Sequence, residues 1–231
     1  QKRPGMHELS SLQAVACGSN SVQYFQWRKS RGGEEKFHGA VVDHRNGSNT
    51  RVFREVAALG ERLEKISDAV YPTCNRARAA ILFDWENWWA VEDIQGPRKD
   101  MAYLETVLSH FRPFWELGIE VDFINEEDSM EGYALVAAPL AYLYQEGYAE
   151  RVKKYVEEGG CYLATYFSGV VDENDLCILE RHPLEEMLGI RTEEMDAVVP
   201  ESLPNTLSFA GKSWKAGQLR EVSHVVEDAE N

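Results

Sequence analysis

From residue 25 to residue 44 the chain reads FQWRKSRGGEEKFHGAVVDH, a run of side chains that globular cores do not need. Glu35 and His38 stand three apart, so on a helical turn their side chains share a face. An ionised carboxylate only accepts hydrogen bonds, whereas a neutral imidazole accepts with one nitrogen and donates with the other. The same spacing also suits a solvated surface turn. It suits a metal site of the helical-bundle type as well, but that site requires a second Glu-x-x-His and further carboxylates on neighbouring helices; no second copy is read in the chain, and no metal is expected. Phe25 and Trp27 serve equally as core residues or as stacking platforms. Arg28 belongs to the same motif without an assigned contact.

The elements that must position this motif follow from periodicity. Residues 22–27 have strand composition, with Gln23, Phe25 and Trp27 on one face. Trp27 then lies at the C-terminal end, which in parallel α/β architectures carries the site. Gly32 and Gly33 open backbone conformations closed to other residues. Residues 4–18 read as a helix with Met6, Leu9, Leu12, Val15 and Ala16 on its buried side, ended by Gly18. From Thr50, the spacing of Val52, Val56, Leu59, Leu63 and Ile66 makes one stripe of an amphipathic helix, capped by Asn49 or Thr50.

Residues 71–75 break the pattern and mark a domain boundary. Beyond them the chain alternates: a strand over 79–83, an acidic aromatic loop, a helix over 103–118, strands over 119–124 and 133–138, a helix over 150–158 and a strand over 161–166. Such alternation gives a parallel sheet covered on both faces. In the 103–118 helix Leu104, Val107, Leu108, Phe111 and Trp115 form the expected inner side, and Pro113 is expected to kink or restart it. The loop after the first strand holds Trp85, Trp88 and Trp89 beside Asp84 and Glu86, a composition suited to a sugar platform or to a subunit interface, where Trp is enriched. Residues 166–176 read as a polar loop whose acids solvate a turn. Past Pro200 the pattern turns irregular, and a final strand is expected to be cut off.

Composition narrows the function classes. A net charge of −15 over 231 residues argues against nucleic acid, whose binding rests on clustered Lys and Arg, and favours a neutral or cationic ligand. Cys17, Cys74, Cys161 and Cys177 are widely spaced and read as buried thiols of a reducing, cytoplasmic compartment. No apolar run approaches the roughly 20 residues of a membrane span, and no signal peptide opens the chain. Starting without methionine, it reads as an internal fragment. The acidic, bulky loop over 84–93 would repel a nucleotide phosphate, and Pro139, Leu140 and Ala141 supply no nucleophilic Cys after the third strand, so no cofactor or amidotransferase chemistry is expected.

The segment QWRKSRGGEEKFHGAVVDH, followed by TRVFREVAALG, resembles the last barrel strand, loop and helix of the glycoside hydrolase family 42 β-galactosidases. ILFDWENWWA, RPFWELGIEVDFIN and YFSGVVDENDL resemble that family's second domain. The resemblance implies an α/β fold. Residues 1–70 would be the remnant of a TIM (β/α)8 barrel, and residues 76–231 a flavodoxin-like or glutamine-amidotransferase-like trimerisation domain, truncated at its C-terminus. It implies retaining hydrolysis of terminal β-galactosides by two glutamates that lie upstream, so that the fragment alone would be inactive. It places Phe25, Glu35 and His38 around galactose, and Trp85, Trp88 and Trp89 near a homotrimer contact, with neither nucleic acid nor membrane as partner. The rival class is a non-catalytic interaction module with a vestigial pocket motif.

Overall fold

The computed structural model describes residues 2–71, 73, 76–197, 206–215 and 219–226, and the chain divides into two compact units, Gln1–Asn75 and Arg76–Asn231. The first unit packs helix α1 (Met6–Ala16) against helix α2 (Arg51–Val70). Thr50 caps α2, its Oγ1 accepting from the Phe53 N–H at 3.2 Å. Val52 and Leu59 are buried and Val56, Leu63 and Ile66 half-buried, so the stripe faces inward as its spacing predicts.

Two expectations for this unit are corrected. In α1 the buried residue is Ser11, while Met6, Leu9 and Ala16 are exposed and Leu12 and Val15 half-buried. Ser11 Oγ bonds the His7 carbonyl at 2.6 Å and meets the Tyr24 hydroxyl at 2.7 Å, so a polar seam rather than the apolar one turns inward. Residues 22–27 form no strand. The Gln26 carbonyl accepts from the Val41 N–H at 2.9 Å and the Trp27 carbonyl from the Val42 N–H at 2.7 Å, leaving a single parallel bridge between Arg28 and Val42. A ladder with one short neighbour does not extend into a strand.

The second unit is built on a four-stranded parallel sheet in the order β2-β1-β3-β4, from β1 (Ala79–Leu82), β2 (Val121–Ile124), β3 (Leu135–Ala138) and β4 (Cys161–Ala164). Strand alternation sends Ala80, Leu82, Val136 and Ala138 to one face, with Tyr148, Val152 and Tyr155 of helix α5 (Tyr148–Glu157). Ile81 and Ala137 go to the other, with Val91 of α3 (Trp85–Asp93) and Tyr103 and Val107 of α4 (Tyr103–Leu117). A short α6 (Glu185–Leu188) leads into β5 (Ile190–Ala197), which pairs antiparallel with β8 (Leu219–Val225). β6 (Thr206–Phe209) and β7 (Lys212–Lys215) make a separate antiparallel hairpin.

Here too the structure corrects the sequence. The stretch after β1 is a helix, not a loop: Asp84 Oδ1 accepts from the Glu86 and Asn87 N–H groups at 2.9 and 3.0 Å, the cap that starts α3. Helix α4 runs through Pro113 as one element and turns Tyr103, Val107, Phe111 and Phe114 inward, leaving Leu108 and Trp115 exposed. Its sequence holds two overlapping apolar stripes, and the one containing Tyr103 is inside, where its hydroxyl accepts from the Asp84 N–H at 3.0 Å. Cys17, Cys161 and Cys177 are exposed rather than buried, and Cys74 lies outside the described residues. In 166–176, Phe167, Ser168 and Val171 are buried, so only the Asp172 turn is solvated. The C-terminal part, expected to be irregular, contributes β6, β7 and β8; residues 198–205 lie outside the described residues.

Candidate functional site

Residues 29–40 loop out between the paired segments at 26–28 and 41–42. Lys29 Nζ donates to Asp43 Oδ2 at 2.7 Å, tying the loop's ends together, and this bond foremost holds the Asp43 carboxyl below its ordinary value. Gly33 takes φ 67, a left-handed conformation that a side chain would resist, and directly precedes a 3-10 turn over Glu34–Phe37. That turn aims Glu35 back at the start of the loop. Its Oε2 accepts from Ser30 Oγ at 3.1 Å and lies 3.5 Å from Gln26 Nε2. His38 follows in extended conformation, its ring 6.1 Å from that of Phe25, edge to face.

Phe25 and His38 are brought together by the ring contact, while Glu35 is tied to Ser30 and approaches the side chain of Gln26, the residue after Phe25. Phe25 is 73% exposed and Glu35 half-buried, so an aromatic face and an oriented carboxylate are presented outward. Such a group can stack on a ring while accepting from two adjacent hydroxyls. Trp27 is not part of it, since its ring packs at 6.2 Å against Phe53. Arg28 lines a separate polar cleft with Lys29, Arg31 and His44.

Phe25 also borders an apolar groove of about 270 Å³ lined by His7, Tyr24, Gly39, Val41, Val52 and Val56, among others. His7, which the sequence did not single out, stands there with its ring 5.6 Å from that of Tyr24, and burial lowers its pKa. Only its i, i+4 step to Ser11 could have signalled an inward position.

In the second unit Trp85, Trp88 and Trp89 lie on α3. Trp85 and Trp88 stack with centroids 5.1 Å apart, and Phe83 meets both edge to face. Trp85 and Trp89 are exposed, while Trp88 is half-buried and donates from Nε1 to Glu92 Oε1 at 2.8 Å. After β3, buried Leu140 takes φ 51 on a sharp turn, a position where an acyl-transfer enzyme would need a nucleophile and this chain has a leucine.

Sequence reasoning also missed Glu126, fully buried after β2. Its Oε2 accepts from the Gln145 N–H at 2.6 Å, its Oε1 is without a partner, and desolvation pushes its pKa up to about 8. In the sequence it sits in Asn125-Glu126-Glu127-Asp128, which reads as a wet acidic turn. A second Glu-x-x-His does occur, at Glu221 and His224, but on strand β8, where i and i+3 point to opposite faces. Glu221 accepts from the Phe167 N–H at 2.7 Å and His224 meets Glu193 at 3.1 Å. Among the described residues no group of His, Cys, Asp and Glu could hold a metal ion.

Residues 77–230 match the family model described as the β-galactosidase trimerisation domain, and residues 1–66 match that of the β-galactosidase itself. The chain is 52% identical to a β-galactosidase of Alicyclobacillus acidocaldarius over 97% of its own length and 34% of that protein. It is 50% identical to one from Clostridium perfringens over 87% of its length and 30% of that protein. Among solved structures, a catalytic mutant of a GH42 β-galactosidase from G. stearothermophilus superposes with a TM-score of 0.87 at 46% identity, covering 97% of this chain and 33% of that one. The cold-adapted β-galactosidase of Rahnella sp. R3 gives 0.84 at 48% identity, covering 97% and 34%. The chain thus spans about a third of the length of the relatives it matches.

Proposed function

Because this chain belongs to the glycoside hydrolase family 42 β-galactosidases, we propose that it is the part of a retaining β-galactosidase that supplies galactose-binding residues and the oligomerisation module. The two catalytic carboxylates of a retaining enzyme, ~5 to 5.5 Å apart across the scissile bond, would come from segments outside this sequence. The first unit is then the closing portion of a (β/α)8 barrel. The second is a flavodoxin-like sheet that assembles a homotrimer through Trp85, Trp88 and Trp89, and the enzyme works in the cytoplasm. The β2-β1-β3-β4 order, matching the first four strands of the flavodoxin-like order, supports the second assignment. Among the described residues no helix is long and apolar enough to cross a membrane.

The observation that carries the substrate reading is the ring contact of exposed Phe25 with His38, in the same loop as a Glu35 carboxylate oriented by Ser30. A galactose ring would lie on Phe25 while Glu35 accepts from two neighbouring hydroxyls and His38 takes a third. Hydrogen bonds to a charged group contribute ~1.5 to 3 kcal/mol. Glu35→Ala in the complete enzyme is therefore expected to lower kcat/KM by roughly one to two orders of magnitude. The loss falls on kcat as well as KM if the bonds tighten as the ring distorts. Glu35→Gln is milder but impaired, since it sets a donor where an acceptor is wanted. Steady-state kinetics on a nitrophenyl galactoside check this, and wild-type kcat/KM in Glu35→Ala would end the proposal.

A further inference from the structure

Two exposed patches of the second unit both carry large apolar side chains and are opposite in charge. The first is one face of the β6–β7 hairpin. Leu207 pairs opposite Trp214 and Phe209 opposite Lys212, so these four share a face, while Ser208 and Ser213 meet at 2.9 Å on the other. Leu207, Phe209 and Trp214 are 61%, 74% and 47% exposed. A two-stranded hairpin is marginal by itself in water, and a bare apolar face on one marks a contact. Residues 206–215 carry Lys212 and Lys215 and no acidic residue, within a chain of net charge −15.

The second patch is on α3. Trp85, Trp89, Glu92 and Asp93 follow the spacing i, i+4, i+7, i+8 and so form one stripe, opposite buried Asn87 and Val91. Both stripe tryptophans and both acids are exposed. Glu92 is held in place by the bond from Trp88 Nε1. One patch is apolar with a cation, the other aromatic with two acids. Lysine over an indole face adds an attraction of its own, and opposite charges set register and exclude wrong partners.

We propose that the β6–β7 hairpin of one copy docks on the Trp85/Trp89 stripe of α3 in the next copy, with Lys212 facing Glu92 and Asp93. This rests on the reading of the second unit as an oligomerisation module. A contact between two different patches is head-to-tail, and head-to-tail contacts close into a ring when the rotation allows, as a trimer requires. The charge bias selects a second copy of this acidic chain as the occupant.

The test uses the complete enzyme, with sedimentation velocity at micromolar concentration and the thermal transition as a check on folding. Phe209→Ser, Lys212→Glu and the pair Glu92→Lys/Asp93→Lys are each expected to weaken assembly at least tenfold. Combining Lys212→Glu with Glu92→Lys/Asp93→Lys is expected to restore the trimer. Variants that stay fully trimeric overturn the docking while leaving the trimer reading standing. Dissociation that the combined swap does not repair overturns the pairing of these two patches, and a monomeric wild type overturns both readings.

Discussion

The two units bury apolar surface to very different degrees. In the first, the buried apolar residues among those described are Ala40, Val41, Val42, Val52 and Leu59, while Phe25, Trp27 and Phe37 are 63% to 84% exposed. In the second, β1 is buried along its whole length and the sheet has a closed apolar cluster on each face. The difference teaches what each unit is for. A parallel sheet with helices on both sides carries its own core, whereas two helices and a loop around an open groove do not, and a chain that short is marginal even when well packed.

That contrast yields the largest expected effect. Residues 76–231 expressed alone should unfold in one cooperative thermal transition, and residues 1–75 alone should show none by circular dichroism. Cooperative unfolding of the 1–75 piece would break the comparison, because it would mean the first unit stabilises itself.

The same contrast explains what the sequence let one see. The α2 stripe and the strand-helix alternation of the second unit were legible because both are local periodicities, repeated over enough residues to leave one solution. The inner face of α4 was legible only in part. Of the expected Leu104, Val107, Leu108, Phe111 and Trp115, Val107 is buried and Leu104 and Phe111 half-buried, but Leu108 and Trp115 are exposed; Tyr103, which bonds Asp84, and Phe114 turn inward instead. The α3 helix was hidden behind its tryptophans, although Asp84 ahead of Glu86 and Asn87 is an ordinary capping signal. Phe25, Glu35 and His38 were singled out by a recognisable motif, whereas the interior placement of Glu126 depends on tertiary packing that no local pattern encodes.

Glu126 gives the second prediction, confined to the well-packed unit. Burial is the main cause of its raised pKa; the Gln145 N–H lowers it, Asp84 raises it, Arg151 lowers it and Glu86 raises it. Between its ordinary value of 4.5 and the folded value of about 8, the folded state keeps a proton that the unfolded state has released. Stability therefore falls as pH rises through that window and levels off above it, by an amount on the order of a few kcal/mol. Glu126→Gln can still accept from the Gln145 N–H and carries no charge to strand. It should flatten the slope, raising Tm at pH 8 by roughly 2 to 4 °C per kcal/mol recovered while leaving it nearly unchanged at pH 4.5. Parallel Tm-against-pH curves for wild type and variant would show that Glu126 is not the group responsible.

The smallest effect belongs to the first unit and asks whether its longer helix, α2, depends on its own ends. The first four N–H groups of a helix lack intrahelical acceptors, and in α2 Thr50 Oγ1 satisfies that of Phe53. Arg51 and Glu55 add an i, i+4 ion pair at 2.8 Å in the same turn, and solvent screening leaves such a surface pair worth little. The cap is thus the stronger local device, and Thr50→Ala should cost about 1 kcal/mol, Thr50→Gly a few tenths, and Thr50→Ser almost nothing. In the intact protein the loss should appear as faster hydrogen exchange at the Phe53 amide, with the amides of the second unit unmoved. If the Thr50→Ala and wild-type Phe53 amides exchange at the same rate, the helix start is held by its surroundings rather than by its cap. The first unit would then depend on outside contacts even for the one helix its sequence specifies most clearly.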